Sequence, residues 1–121
     1  VEVLYSLPKD EVVLVDCITV YISNLLFLNS GEQDEKIDFK AKEKLIMKKM
    51  KKLVNASKNK EIILVSNEVG MGIVPGNEMA REFRDIAGRV NQFLAQNAEK
   101  VYLSIAGLAV ELKEISTKLD H

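Results

Sequence analysis

Residues 11–16, Glu-Val-Val-Leu-Val-Asp, and residues 61–67, Glu-Ile-Ile-Leu-Val-Ser-Asn, determine the fold class. Each is a short, continuous run rich in β-branched residues, which is typical of a parallel strand that is buried on both faces. A third run, Lys100–Ala106, predicts another strand that stops at Gly107, and Val110–Leu112 predicts a short edge strand.

Apolar residues at helical spacing fill the stretches between these strands. They predict helices over Ile18–Leu28, which the turn residues 29–32 close, over Ile37–Ala56, and from the N-cap Asn77 to about Ala98. Strands that alternate with helices predict an α/β fold with a mostly parallel sheet flanked by helices, in a single domain that covers residues 1–121.

Composition limits the classes of function. The chain has 121 residues and a mass of 13.6 kDa, and its 17 Lys and Arg against 18 Asp and Glu give a net charge of −1. This balance argues against a nucleic-acid partner. A single cysteine, Cys17, and a single histidine, His121, argue against a Cys/His zinc site and fit a reducing, cytoplasmic setting. No apolar run reaches the roughly 18 to 20 residues of a membrane span.

The second predicted helix carries a run of lysines. A basic helix of this kind can bind nucleic acid or a membrane surface. We interpret the run instead as the solvated face of an amphipathic helix, which is the more common role. The lysines concerned are Lys40, Lys44, Lys48, Lys51 and Lys52.

Ligands of open α/β sheets bind beyond the carboxyl ends of the strands, which directs attention to Asp16 onward, to residues 67–76 and to Ala106-Gly107. An apolar strand that ends in Asp is the pattern of a Walker-B-like element, whose carboxylate holds Mg²⁺ beside nucleotide phosphates, often through water. A helix cap or a turn is the commoner role of such an Asp. Thr19 and Asn24 follow among apolar neighbours, and a buried amide that ties a loop to the sheet is the structural alternative for Asn24.

The loop after the second strand carries two glycines spaced by one residue. Gly70 and Gly72 allow the backbone to approach a ligand closely or to adopt positive φ. Asn67 and Glu68 stand at the edge of the sheet where substrates bind. The loop is not a Walker A loop, because no G-x-x-x-x-G-K-[ST] sequence occurs in the chain.

The helix after this loop places polar residues beside its apolar stripe. At about 100° per residue, Asn91 and Arg84 lie about 120° and 140° from Met79, and Gly88 lies near 180°. Arg84 and Asn91 are therefore candidates for a ligand or subunit contact, with a structural role equally open. A ladder at i, i+4 and i+8 is interpreted as ordinary surface pairing. It consists of Arg81, Asp85 and Arg89.

Four sequence blocks occur in a fixed order at residues 16–19 (Asp-Cys-Ile-Thr), 23–26 (Ser-Asn-Leu-Leu), 67–75 (Asn-Glu-Val-Gly-Met-Gly-Ile-Val-Pro) and 83–92 (Phe-Arg-Asp-Ile-Ala-Gly-Arg-Val-Asn-Gln). Together they closely resemble the bifunctional adenosylcobinamide kinase / adenosylcobinamide-phosphate guanylyltransferase family of cobalamin biosynthesis, over about Asp10 to Lys113. The resemblance implies a RecA-like P-loop NTPase fold and a symmetric homo-oligomer, a trimer.

The resemblance also implies two reactions. A nucleoside triphosphate, ATP or GTP, phosphorylates the aminopropanol hydroxyl of adenosylcobinamide, and GTP then donates GMP through a guanylylated histidine to give adenosylcobinamide-GDP. Mg²⁺ would neutralise the phosphate charge. Asp16 matches the nucleotide- and Mg²⁺-binding acid of the family. Further candidates, without an assigned role, are the residues of the matching blocks: Thr19, Asn24, Asn67, Glu68, Gly70, Gly72, Arg84, Asp85 and Asn91.

The chain also departs from the family pattern. The Walker A loop with its lysine and the guanylylated histidine do not occur in it, and His121 lies past the matched region. The chain therefore resembles the C-terminal two-thirds of the enzyme, and by itself it is expected to be inactive, with a central sheet position unpaired and apolar surface exposed. The alternative is a non-catalytic fragment that keeps only oligomer or corrinoid-facing surfaces. An unrelated P-loop-derived nucleotide-binding module does not explain four ordered blocks.

Overall fold

A computed structural model describes residues 1–28, 36–117 and 119. The predicted turn at residues 29–32 and the terminal His121 lie outside the described residues. Within the described ranges, a 3₁₀ helix, Glu2–Ser6, precedes eight further elements. These are β1 (Val12–Asp16), α1 (Ile18–Phe27), α2 (Phe39–Ser57), β2 (Glu61–Val65), α3 (Glu78–Asn97), β3 (Tyr102–Ile105), β4 (Leu108–Glu111) and α4 (Leu112–Ile115).

Strands β1 and β2 form the predicted parallel pair. Their register runs from Val12 opposite Glu61 to Asp16 opposite Val65, so both strands end at the same edge. The side chains of both strands alternate between half-buried and exposed. The pair is therefore covered on one face only in the described part of the chain, whereas the apolar runs predict burial on both faces.

Helices α1, α2 and α3 cover one face of this sheet. Val13, Val15, Ile62 and Leu64 pack against a core that the helices supply. Its largest fully buried side chains are Ile18, Ile22, Leu26, Ile46, Met50, Ile86 and Val90. Each side chain of this size stabilises the fold by about 1.5–3 kcal/mol on burial. The predicted stripe of α3 is confirmed from Ile86 to Leu94, but Met79 at its start is 49% exposed.

The opposite face of the sheet is exposed in the described part of the chain and is mostly apolar, with Glu61 and Asp16 at its two ends. Val12, Leu14, Ile63 and Val65 alternate with the core-facing residues, and they are 58%, 62%, 51% and 37% exposed. Parallel sheets are almost always covered on both faces. These four residues are called the open face below.

The prediction that Lys100–Ala106 adds a third strand to the parallel sheet is wrong for the described residues. Strand β3 pairs only with β4, antiparallel, in a separate two-stranded sheet. Ala106 and Gly107 join them with φ of 53° and 77°. Two successive residues with positive φ form the type I′ turn of a tight hairpin. Ala106-Gly107 is therefore a hairpin turn and does not lie at the carboxyl edge of the parallel sheet.

Side chains cap the starts of the three long helices. Asn77 accepts a hydrogen bond from the Ala80 amide, which confirms it as the predicted N-cap of α3. Asp38 caps α2. The N-cap of α1 is Cys17, whose Sγ accepts from the Val20 amide at 3.5 Å. A helix cap was the structural alternative for Asp16, but the residue that caps α1 is Cys17.

Candidate functional site

A closed ring of hydrogen bonds lies at the carboxyl end of β2. The Asn67 amide donates to Thr19 Oγ1 at 2.8 Å, and Asn91 Nδ2 donates to the Asn67 carbonyl at 3.0 Å. Ser66 Oγ donates to Asn91 Oδ1 at 2.6 Å and lies 3.4 Å from Thr19 Oγ1. Because the single hydroxyl hydrogen of Ser66 is used on Asn91, Thr19 is the donor to Ser66. We call these four residues the hydrogen-bond ring.

The ring joins three elements. Thr19 is buried in the first turn of α1, Ser66 and Asn67 follow β2, and the half-buried Asn91 lies on α3. It also fixes the orientation of the Asn91 amide, because a flipped amide would place its oxygen against the Asn67 carbonyl. Of the two roles open for Asn91, the structure shows a structural contact within the chain.

A second set of contacts shapes the loop beyond the ring. Glu68 Oε1 accepts from the Gly70 amide at 2.8 Å, and Arg84 Nη2 donates to the Gly70 carbonyl. A Cβ on Gly70 would lie 2.9 Å from Glu68 Oε1, so Gly70 permits this close approach. Neither Gly70 nor Gly72 has positive φ, so the second of the two roles predicted for these glycines is wrong. Arg84 Nη1 is buried without a hydrogen-bond partner among the described residues.

Asp16 is the last residue of β1, and its register partner is Val65, the last residue of β2. It is exposed, and the alternation along β1 places it on the same face as Val12 and Leu14. Within the described residues its carboxylate has no hydrogen bond or ion pair. The described residues also contain no group of three or more His, Cys, Asp or Glu side chains that could hold a metal ion.

Other predicted residues lie apart from the ring. Asn24 is exposed on α1, so the interpretation as a buried amide is wrong. Asp85 is exposed on α3 and forms no ion pair in the described part of the chain. The predicted ladder is also wrong, because Arg89 pairs with Glu43 of α2 through Nε–Oε1 at 2.5 Å and Nη2–Oε2 at 3.1 Å. This ion pair raises the pKa of Arg89.

An apolar depression lies between α1 and the start of α3. Its volume is about 610 Å³, and its lining includes Phe27, Met79 and Phe83. The exposed side chains of Met71, Ile73 and Val74 form the tip of the loop that precedes α3. This end of the molecule therefore presents both polar loop atoms and apolar surface.

Sequence reasoning missed Ser66 as a partner of Asn91 and the capping role of Cys17. The five lysines of the predicted run on α2 are exposed, as a solvated face requires, and the interpretation stays a prediction. No helix among the described residues is long and apolar enough to cross a membrane.

Comparison with known proteins gives a consistent result. The family model of cobinamide kinase / cobinamide phosphate guanyltransferase matches residues 1–112. The chain is 47% identical over 111 residues to the bifunctional adenosylcobalamin biosynthesis protein CobU of Salmonella typhimurium, covering 89% of the chain and 61% of that protein. It is 46% identical to CobU of Escherichia coli with the same coverage.

A more distant relative is the bifunctional adenosylcobalamin biosynthesis protein CobP of Pseudomonas aeruginosa. It is 35% identical over 100 residues, which cover 83% of the chain and 52% of CobP. The chain thus spans between half and two-thirds of the length of these relatives. The family match covers the sheet, all three long helices and the hydrogen-bond ring. The chain therefore belongs to the cobinamide kinase / cobinamide phosphate guanyltransferase family.

Proposed function

We propose that the protein carrying this chain is a cytoplasmic kinase and guanylyltransferase. It phosphorylates the aminopropanol hydroxyl of adenosylcobinamide with ATP or GTP, then transfers GMP from GTP to give adenosylcobinamide-GDP. The supporting observation is the match over residues 1–112, which includes every residue of the ring and loop. A homo-oligomer, a trimer by resemblance, is part of the proposal.

Asp16 is the proposed ligand of Mg²⁺. Its carboxylate is exposed and unpaired among the described residues, at the carboxyl end of a parallel strand. Mg²⁺ is commonly held by one or two carboxylates together with phosphate oxygens and water, so a lone carboxylate fits the ion. When bound, Mg²⁺ would neutralise charge on the nucleotide phosphates.

The loop after β2 is the proposed substrate-facing segment. Asn67 and Glu68 are exposed, and they lie two and three residues beyond Val65, the register partner of Asp16. The phosphate-binding loop and the guanylylated histidine implied by the resemblance are not among the 121 residues. The proposal assigns them to the part of the relatives' length that this chain does not span. The second candidate is a non-catalytic fragment that keeps only oligomer or corrinoid-facing surfaces.

The test is Asp16→Asn in the full-length product of the gene. We expect both reaction rates to fall about tenfold or more at fixed Mg²⁺, because losing a ligand costs at least as much as losing an outer-shell partner. The fold should be retained, since Asp16 is exposed and unpaired in the described structure. Steady-state rates over a Mg²⁺ titration and circular dichroism measure the two effects.

Asp10→Asn is the matched control, because Asp10 is an exposed acid near the amino end of the same strand. Its rates should equal those of the wild type. Unchanged rates and Mg²⁺ dependence in Asp16→Asn would contradict the role of Asp16. A wild-type protein without either activity would favour the non-catalytic fragment.

A further inference from the structure

The two main-chain polar groups of Asn67 are held by side chains instead of by strand pairing. Its amide donates to Thr19 Oγ1 at 2.8 Å, and its carbonyl accepts from Asn91 Nδ2 at 3.0 Å. Strand β2 ends at Val65, so the chain leaves the sheet two residues earlier. The ring therefore supplies hydrogen bonds to the main chain of Asn67, which lies beyond the last residue of β2.

Each member of the ring donates once and accepts once. Thr19 donates to Ser66, Ser66 to Asn91, Asn91 to Asn67, and the Asn67 amide donates back to Thr19. The two links through Thr19 are part-buried, whereas the two links through Asn91 are exposed. Loss of Thr19 releases the Asn67 amide, and loss of Asn91 releases the Asn67 carbonyl. The hydroxyl of the buried Thr19 is the link most shielded from water.

We propose that Thr19 and Asn91 are positioning residues for the reaction above, and this inference rests on the proposed function. They fix the backbone of Asn67, and so present the side chains of Asn67 and Glu68 at the edge where Asp16 ends β1. In this assignment Thr19 and Asn91 act through the backbone of Asn67 and do not bind substrate; the ring uses the Thr19 hydroxyl hydrogen and one of the two Asn91 Nδ2 hydrogens.

The experiment compares four variants of the full-length protein. Thr19→Val and Asn91→Ala remove a link, Thr19→Ser keeps the hydroxyl, and Asn97→Ala is the matched control. Asn97 lies on the same helix and also donates to a main-chain carbonyl, that of Phe93, but within its own helix and away from the ring. Readouts are kcat and KM for both reactions and amide hydrogen exchange at Asn67.

We expect kcat to fall about ten- to a hundredfold in Thr19→Val and Asn91→Ala, because a misplacement near 1 Å can cost about a hundredfold. KM should change far less, since substrate contacts are not removed. Exchange at the Asn67 amide should accelerate in Thr19→Val while β2 stays protected. Thr19→Ser should restore both kcat and protection, and Asn97→Ala should match the wild type.

Faster exchange at Asn67 with unchanged kcat would overturn the positioning role. A rise in KM without a fall in kcat would overturn it as well, since it would indicate a substrate contact. If Thr19→Val fails to fold, Asn91→Ala decides, because Asn91 is only half-buried. Absence of both activities in the wild type would overturn the proposed function, and the positioning role with it, while the exchange data would still report on the ring.

Discussion

At the scale of the residue, the Glu111 carboxylate accepts two main-chain hydrogen bonds outside the candidate site. Its Oε1 accepts from the Val101 amide at 2.9 Å, and its Oε2 accepts from the Glu114 amide at 2.8 Å. One carboxylate thereby joins the entry of β3 to the start of α4. The bond from Val101 is the main cause that lowers the pKa of the Glu111 carboxyl from its usual 4.5.

The lowered pKa predicts a pH dependence of the hairpin. Because the folded pKa lies below the unfolded one, the stabilisation is present above the unfolded pKa of about 4.5 and is lost as pH falls through the folded value. An NMR titration of Glu111 with amide exchange at Val101 would measure it. In Glu111→Gln the Val101 exchange should lose this acid transition. An equal transition in that variant would assign it to another group.

The positions of some site residues could be predicted from the sequence, but their hydrogen-bond partners could not. The helical angles correctly place Asn91 and Arg84 beside the apolar stripe of α3, since both are half-buried. Their partners were not predictable, because Ser66 and Gly70 come from a loop whose path is set by tertiary contacts. Glu68 was expected at the substrate edge, yet its carboxylate also accepts from Gly70, two residues away.

At the scale of the element, a substitution by Ala is expected to have opposite effects on stability at two glycines. A Cβ on Gly88, within α3, would meet nothing within 4 Å, whereas Gly107 has a φ of +77°. Gly88→Ala should therefore stabilise the fold by about 0.5–1 kcal/mol, the usual gain of Ala over Gly in a helix. Gly107→Ala should destabilise the hairpin by about 1–2 kcal/mol, the cost of a left-handed conformation.

Urea unfolding of the two variants measures both effects. Destabilisation by Gly88→Ala would show that another group occupies the space beside α3. Gly107→Asn serves as a control for the hairpin, because Asn tolerates left-handed backbone better than Ala. It should recover part of the stability that Gly107→Ala loses.

The elements were largely predictable because they are local. Capping residues and apolar periods locate α1, α2 and α3 to within a few residues of their observed ends. The pairing of β3 was not predictable in this way. Its apolar run is equally compatible with a parallel or an antiparallel neighbour, and the positive φ of Ala106, a non-glycine residue, left the hairpin turn without a clear signal.

At the scale of the whole molecule, the open face dominates the solution behaviour expected of these 121 residues alone. Val12, Leu14, Ile63 and Val65 form a contiguous apolar surface on two paired strands. Surfaces of this kind promote association. We expect the isolated polypeptide to self-associate with rising concentration, as sedimentation velocity would show.

The double variant Leu14→Thr/Ile63→Thr should reduce this association, since it makes the face more polar while keeping strand propensity. Ile115→Thr is the control, because Ile115 is 71% exposed but lies on α4. A wild-type polypeptide that remains monomeric at all concentrations would contradict the expectation.

The attachment of the loop to α3 has a mechanical consequence. Arg84 and Asn91 hold Gly70 and Asn67 from points seven residues apart, about 10 Å along one side of the helix. Because both contacts come from one helix, a tilt of α3 would move the two contact points by different amounts, and a translation would move them equally. A small rotation of α3 would therefore shift the backbone of residues 67–70 relative to the end of β1, and a contact that tilts this helix would change the orientation of Asn67.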